Sequence, residues 1–237
     1  MTGPLAGRTA LVTGASRGIG AAIARRAAGM GAQVHMLARN KSNLMMLAGE
    51  IAAQVWAADV TDETAITAVL GQLTDKLGGP PDLIVNAAGV FETAPLAETS
   101  VEVFDRALGA NLRGPFLVIH ALLPAMLARG SGTIISVGSI AGHRVFAGNA
   151  AYSASKFGLR GMHEVLSEEL RGTGVRATLV EPAATDTPIW EPMRASGKGA
   201  FPPREAMLRV DDVAEAVLFA ATRPEGVRIP LLRIERG

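Results

Sequence analysis

The chain has 237 residues, with 23 basic and 22 acidic side chains and a net charge of +1, so its charge offers no reason to expect a nucleic-acid partner. It has no cysteine, which excludes disulfides, zinc thiolates and a cysteine nucleophile and reads as a reducing, cytoplasmic setting. Hydrophobic residues make up 49% but aromatics only 4%; this suits buried parallel strands under Ala-rich helices, and the length suits one α/β domain over 1–237.

Short apolar runs alternate with longer helical patterns. Strands are expected at Thr9–Thr13, Gln33–Leu37, Gln54–Ala57, Leu83–Asn86, Thr133–Val137, Arg176–Val180 and Leu231–Ile234. Helices are expected at about 18–30, 41–52, 62–77, 100–128, 151–171 and 211–222. The alternation predicts a doubly wound, Rossmann-like sheet of about seven parallel strands with helices on both faces. The stretch 188–209 carries Pro188, Pro192, Gly197, Gly199, Pro202 and Pro203, which predicts a long irregular excursion, a substrate loop or lid. Phe116–Ala128 is the longest mostly apolar stretch; interrupted by His120 and Pro124, it is too short to cross a bilayer, and no membrane partner is expected. His35, His120, His143 and His163 lack metal-ligand spacing, so no metal is expected.

The first strand runs into Thr13-Gly14-Ala15-Ser16-Arg17-Gly18-Ile19-Gly20 and then a helix. Glycines let the backbone approach a ligand, and the helix start offers free N–H groups to a pyrophosphate. The second strand ends in Ala38-Arg39, where an acid would bind the adenosine ribose and repel a 2′-phosphate. With no acid there and with Arg17 nearby, Arg39 favours NADP(H). Asp59-Val60, after the third strand, is positioned to meet the adenine. Asn86-Ala87-Ala88-Gly89, after the fourth, is expected to floor the second ribose, although Asn86 alone reads equally well as a strand-end cap.

The fifth strand leads to Ser139, and the next helix carries Tyr152, the chain's one tyrosine, and Lys156. Residues four apart share a helix face. An ammonium about 4 Å from a phenol contributes roughly 4 kcal/mol at an effective dielectric near 20, about three pKa units, which would bring the phenol toward neutrality. Tyr152 would then exchange a proton with a carbonyl oxygen that Ser139 holds by a hydrogen bond. A hydrolase is the poorer reading, because Gly138-Ser139-Ile140-Ala141-Gly142 is not a nucleophile elbow.

In order, the Thr13–Gly20 turn, Asp59, Asn86-Ala87-Ala88-Gly89, Asn111, Ser139, Tyr152-x3-Lys156 and Pro182–Thr187 resemble the short-chain dehydrogenase/reductase family over about residues 8–190. The resemblance implies seven parallel strands, Tyr152 as general acid/base, and Ser139 orienting the substrate. It implies that Lys156 binds the nicotinamide ribose and that Asn111 holds a water in a proton relay to Lys156. It places Pro182, Thr185 and Thr187 at the nicotinamide and implies transfer at its B face. A homodimer or homotetramer follows by the same route, joined partly through a small apolar stripe, Ala154, Gly158, Gly161 and Val165. Ala183 stands where the family usually has glycine after Pro182, which would shift the adjoining loop. The expected substrate is a small carbonyl or secondary alcohol compound. Its pocket would be walled by Val90–Thr93, Ile140–Phe146 and Pro188–Phe201 of the excursion and be mainly apolar through Val145, Phe146, Ile189, Trp190, Met193 and Phe201, with His143 and Arg144 as candidate anion ligands or plain surface. The competing readings are a non-catalytic NADP(H)-sensing regulator and an extended-branch epimerase or dehydratase. The complete Ser139, Tyr152 and Lys156 set argues against the first; the chain length and glycine spacing argue against the second.

Overall fold

The seven expected strands form, and their order creates the crevice in which the candidate residues meet. The computed structural model describes residues 3–196 and 201–237. Strands β1 (Thr9–Thr13), β2 (Gln33–Ala38), β3 (Gln54–Ala57), β4 (Leu83–Asn86), β5 (Gly132–Val137), β6 (Val175–Pro182) and β7 (Leu231–Ile234) make one sheet in the order β3-β2-β1-β4-β5-β6-β7. Every pairing is parallel. The chain winds outward from β1 toward β3, then returns to β4 on the other side of β1. Ligands in such sheets bind beyond the carboxyl ends of the strands, at this reversal.

Helices α1 (Gly18–Gly29), α2 (Lys41–Ile51) and α3 (Glu63–Leu77) follow the first three strands. Then come α4 (Val101–Leu108), α5 (Gly114–Arg129), α6 (Ala150–Glu169), α7 (Glu191–Ser196) and α8 (Val210–Ala221). Successive strand side chains point to opposite faces. Val12 and Val85 therefore pack under α1 and α8, while Leu11 and Ile84 pack under α3 and α5. Polar starts fix two of the helices. The Asn40 side chain accepts from Asn43 N at 3.0 Å, and that of Asp62 from Ala65 N at 3.0 Å.

Two expectations need correction. First, α4 and α5 are joined by a π turn, Gly109–Arg113, so Val101–Arg129 is one helical run of 29 residues. That run is long and apolar enough to cross a membrane by length and composition. Its inner side is spent on the core instead, through Leu117, Val118, Leu122 and Met126. Pro124 does not interrupt it: the residue is exposed, so the ring and the carbonyl it leaves unpaired lie on the solvent side. Second, the excursion is not irregular throughout. It opens with a 3₁₀ turn, Pro188–Trp190, continues as α7, and returns through a 3₁₀ turn at Arg204–Ala206. Pro188 and Pro192 fall in first turns, where a missing N–H costs nothing. Gly197 and Gly199 lie outside the described residues.

Candidate active site

A cavity of about 1030 Å³ runs along the carboxyl ends of the strands. At one end is the glycine turn. Gly14 has φ +67°, and a side chain there would meet the Ala88 backbone at 2.6 Å. A side chain on Gly20 would meet the Gly14 carbonyl at 2.4 Å. The sequence therefore keeps the turn bare and tightly folded. Arg17 occupies the N-cap of α1 without a side-chain cap bond, so the helix's leading N–H groups stay open to the cavity. Gly14, Ser16, Arg17, Gly18, Ile19 and Gly20 all line it.

Beside the turn, Ala38, Arg39, Asp59 and Val60 form the adjoining wall. Arg39 Nη1 lies 3.5 Å from Asp59 Oδ2, a loose and largely exposed pair. Burial works to raise the Asp59 pKa, but hydrogen bonds from Thr61 N and Oγ1, with Arg39 beside it, hold the carboxyl below its ordinary value. Among the described residues Arg17 has no ion-pair partner. The floor is Ala87, Ala88 and Gly89. Thr13 Oγ1 accepts from Ala87 N at 3.2 Å and Ala88 N at 3.3 Å, which pins the floor to β1. Asn86 is a correction: it is 2% exposed and absent from the cavity wall. As the last residue of β4 it stands between Thr13 and Ser136 in register, so its amide is buried within the sheet layer rather than facing the crevice.

At the far end stand Ser139, Tyr152 and Lys156. Ser139 begins a 3₁₀ turn, Ile140–Gly142, with its Oγ accepting from Ala141 N at 3.1 Å. Lys156 Nζ donates to Val137 O at 2.9 Å and lies 5.7 Å from the Tyr152 ring centre. Burial lowers the Lys156 pKa to about 8. Burial likewise raises the Tyr152 phenol above its ordinary value, with the Ser139 hydroxyl opposing. A phenol brought toward neutrality by Lys156 is thus not what the protein alone provides: the ammonium is bonded to a strand carbonyl and is itself weakened by burial.

Asn111 sits in the π turn, fully buried. Its Oδ1 accepts from Val90 N at 2.8 Å, and its Nδ2 donates to Val90 O and to Ser155 Oγ, both at 3.0 Å. Ser155 in turn donates to Tyr152 O at 2.7 Å. The extra residue of a π turn re-aims one side chain, and such turns are frequent at functional sites. Pro182, Thr185 and Thr187 close the cavity from β6. Ala183 N donates to Ile234 O at 2.9 Å, and its φ is not left-handed, so its methyl carries no backbone strain.

Phe91 and Trp190 line the cavity, as their places in the expected pocket walls require, and Glu181 is a feature that was not expected. Phe91 stands edge-on to Tyr152 with ring centres 4.6 Å apart, and to Trp190 at 5.0 Å. Trp190 Nε1 donates to Thr185 O at 2.8 Å. Glu181, wholly buried on β6, has Oε2 2.9 Å from both His143 Nδ1 and Arg233 Nε, tying the turn after Ser139 to β7. A charged residue inside an apolar strand run was the available signal for it. Neither His143 nor Arg144 reaches the cavity wall. Among the described residues no cluster suits a metal ion.

A family model described as short chain dehydrogenase matches residues 8–197. The chain is 34% identical to an uncharacterised oxidoreductase of Staphylococcus saprophyticus, covering 94% of both. It is 35% identical to glycine betaine reductase ATRR of Emericella nidulans over 98% of its own length, yet spans only 19% of that protein. Among solved structures it is similar to a metagenomic short-chain oxidoreductase in complex with NADP, at TM-score 0.83 and 35% identity over 98% of each chain.

Proposed function

The chain belongs to the short-chain dehydrogenase family, and on that premise we propose that it moves a hydride between NADP(H) and a small carbonyl compound or secondary alcohol. One observation carries the reading: a single cavity joins the bare glycine turn to Ser139, Tyr152 and Lys156. The residues present fit a dinucleotide. The turn excludes side chains and leaves the α1 amides open, as a pyrophosphate requires. Ala38 leaves room at the adenosine ribose, and Arg17 and Arg39 supply charge for a 2′-phosphate. Asp59 and Val60 would meet the adenine, and Ala88 and Gly89 the second ribose. The relative solved with NADP supports the same choice.

A bound nicotinamide cofactor would supply or accept the hydride. Ser139 Oγ–H donates to the carbonyl oxygen and holds it beside Tyr152. The Tyr152 phenol delivers its proton to that oxygen in reduction and takes it back in oxidation. Lys156, with ammonium protons to spare after Val137 O, binds the ribose hydroxyls and stabilises the phenolate that reduction leaves. Asn111 anchors the first turn of α6 through Ser155 and would hold a relay water toward Lys156 through what its oxygens leave unused. Thr185 and Thr187 would hold the nicotinamide carboxamide, while Pro182 and the aromatic wall keep water from the transfer.

The test is the loss of NADPH absorbance with a panel of ketones and aldehydes, with Tyr152→Phe as the control. Turnover abolished in that variant, with NADPH binding retained, is expected. NADPH binding without oxidation by any carbonyl compound would replace this reading with that of a cofactor-sensing regulator.

A further inference from the structure

Resting on that reading, we propose that the substrate end takes an uncharged, apolar carbonyl compound, an aryl or branched-alkyl ketone or aldehyde, and rejects carboxylates. Its walls are Phe91, Ile140, Phe146, Ile189, Trp190 and Phe201. Of the described arginine and histidine side chains near this end, Arg106, His143 and Arg144 each have an acid and Arg194 shares Asp186 with Arg204, while the Lys156 ammonium is bonded to Val137 O. Arg106, the cation on the α4 wall, is held by Glu92 through two bonds of 2.8 and 3.0 Å. Arg194 lies 3.3 Å from Asp186 and covers the Phe201 ring at 5.8 Å. His143 is turned inward to Glu181, and Arg144 lies outside the wall, 3.8 Å from Glu235. Asp105, next to Arg106, is a further charge against an anion. A carboxylate entering here would lose its water and find no unpaired guanidinium on these walls, the one ammonium, Lys156, being bonded to Val137 O and proposed to serve the cofactor ribose, whereas an aromatic ring would find ring edges and faces. The Phe91–Tyr152 and Phe91–Trp190 contacts make Phe91 the residue that limits the size of the group beside the reacting carbon.

The experiment compares three ketones that differ in charge: ethyl benzoylformate, benzoylformate and a benzoylformate ester bearing a trimethylammonium group. The neutral ester is expected to exceed the carboxylate in kcat/KM by a factor of about 100, the scale of an unpaired charge in a desolvated site. Glu92→Gln, a half-exposed surface change, releases Arg106 and should narrow that ratio by about tenfold, the worth of one charge-assisted contact. Phe91→Ala should raise the relative rate of a bulkier aryl ketone without changing NADPH affinity. Preference for the carboxylate or the ammonium ester would overturn the inference and leave the oxidoreductase reading intact. Absence of NADPH oxidation with all three and with the wider panel would overturn that reading itself.

Discussion

Tyr152 and Lys156 occupy one helix face, as their spacing requires, but the structure separates their duties. Lys156 gives one proton to Val137 O and lies beside the ring, while the phenol is the group proposed to exchange its proton with the substrate. Tyr152→Phe is therefore expected to leave NADPH affinity within a factor of about two and to lower turnover by 10²-fold or more, on the order of a lost general acid. Lys156→Ala should harm both, because its ammonium is proposed to touch the ribose as well. Equal modest losses from the two changes, measured by titration and steady-state rates, would refute the division. Arg39→Asp should weaken NADPH by at least about tenfold and improve NADH, since one charge-assisted contact is worth roughly 1.5–3 kcal/mol. Tighter NADH than NADPH binding in the unaltered protein would reverse the cofactor assignment. At this scale the sequence disclosed residues whose role follows from type and spacing. It did not disclose the direction of Asn86, which depends on its register between β1 and β5, or the burial of Glu181, which depends on β7 arriving from the far end of the chain.

The strands were legible because an alternating α/β chain with buried parallel strands writes them as short apolar runs. Helix joins were less so. Nothing local in Gly109–Arg113 announces a π turn, because the extra residue is held by Asn111 reaching across to Val90 and Ser155. The small stripe on α6 divides in the same way. A side chain on Gly158 would meet Leu112 of the same chain at 2.8 Å, so that position packs inward. Ala154 and Gly161 are exposed, and Val165 is 58% exposed with Phe157 nearby at 43%. We expect this outer face to pair with a second copy, small side chains allowing close approach of the helices. Gly161→Arg with Val165→Asp should convert a micromolar solution to monomer by light scattering with the melting temperature little changed; a monomeric starting protein would refute it. The excursion after β6 is a second element with a proposed motion. Its two limbs are pinned at the root, where Asp186 lies 3.3 Å from Arg194 and 3.6 Å from Arg204, and Leu208 N donates to Ala184 O at 2.8 Å. A lid hinged there should show amide exchange at 188–196 and 201–209 that slows when NADPH and a product alcohol are bound. Unchanged exchange at saturation would leave a static loop.

For the molecule as a whole, pH sensitivity should come from the buried basic groups His163, His35 and Lys156, each with its pKa lowered by burial, rather than from its many surface ion pairs, which contribute little each. His163 is 1% exposed; burial lowers its pKa from 6.5 to about 4, with the Thr178 backbone opposing. Between those values the unfolded chain binds a proton that the folded chain does not. Stability is therefore full above pH 6.5 and falls as pH drops through 4, by about 3 kcal/mol for a shift of that size. Lys156, lowered from 10.5 to about 8, acts with the same sign in another window. From pH 8 upward the unfolded lysine still holds a proton that the folded one releases, so the ligand-free protein should gain stability between pH 8 and 10. Tyr152 is shifted the other way and opposes this once its unfolded phenol begins to ionise near pH 10. Urea unfolding of the ligand-free protein at pH 5, 7 and 9.5 reads both effects. His163→Gln should lessen the slope from pH 5 to 7, leaving the part that His35 contributes, and Lys156→Met should flatten the segment from pH 7 to 9.5, each without altering the other. An unaltered protein equally stable at all three values would mean that neither group is held uncharged by the fold. A rise on the alkaline side that disappears in Lys156→Met would identify, in the absence of any substrate, the lysine whose charge the proposed catalysis must recover when cofactor hydroxyls arrive to bind it.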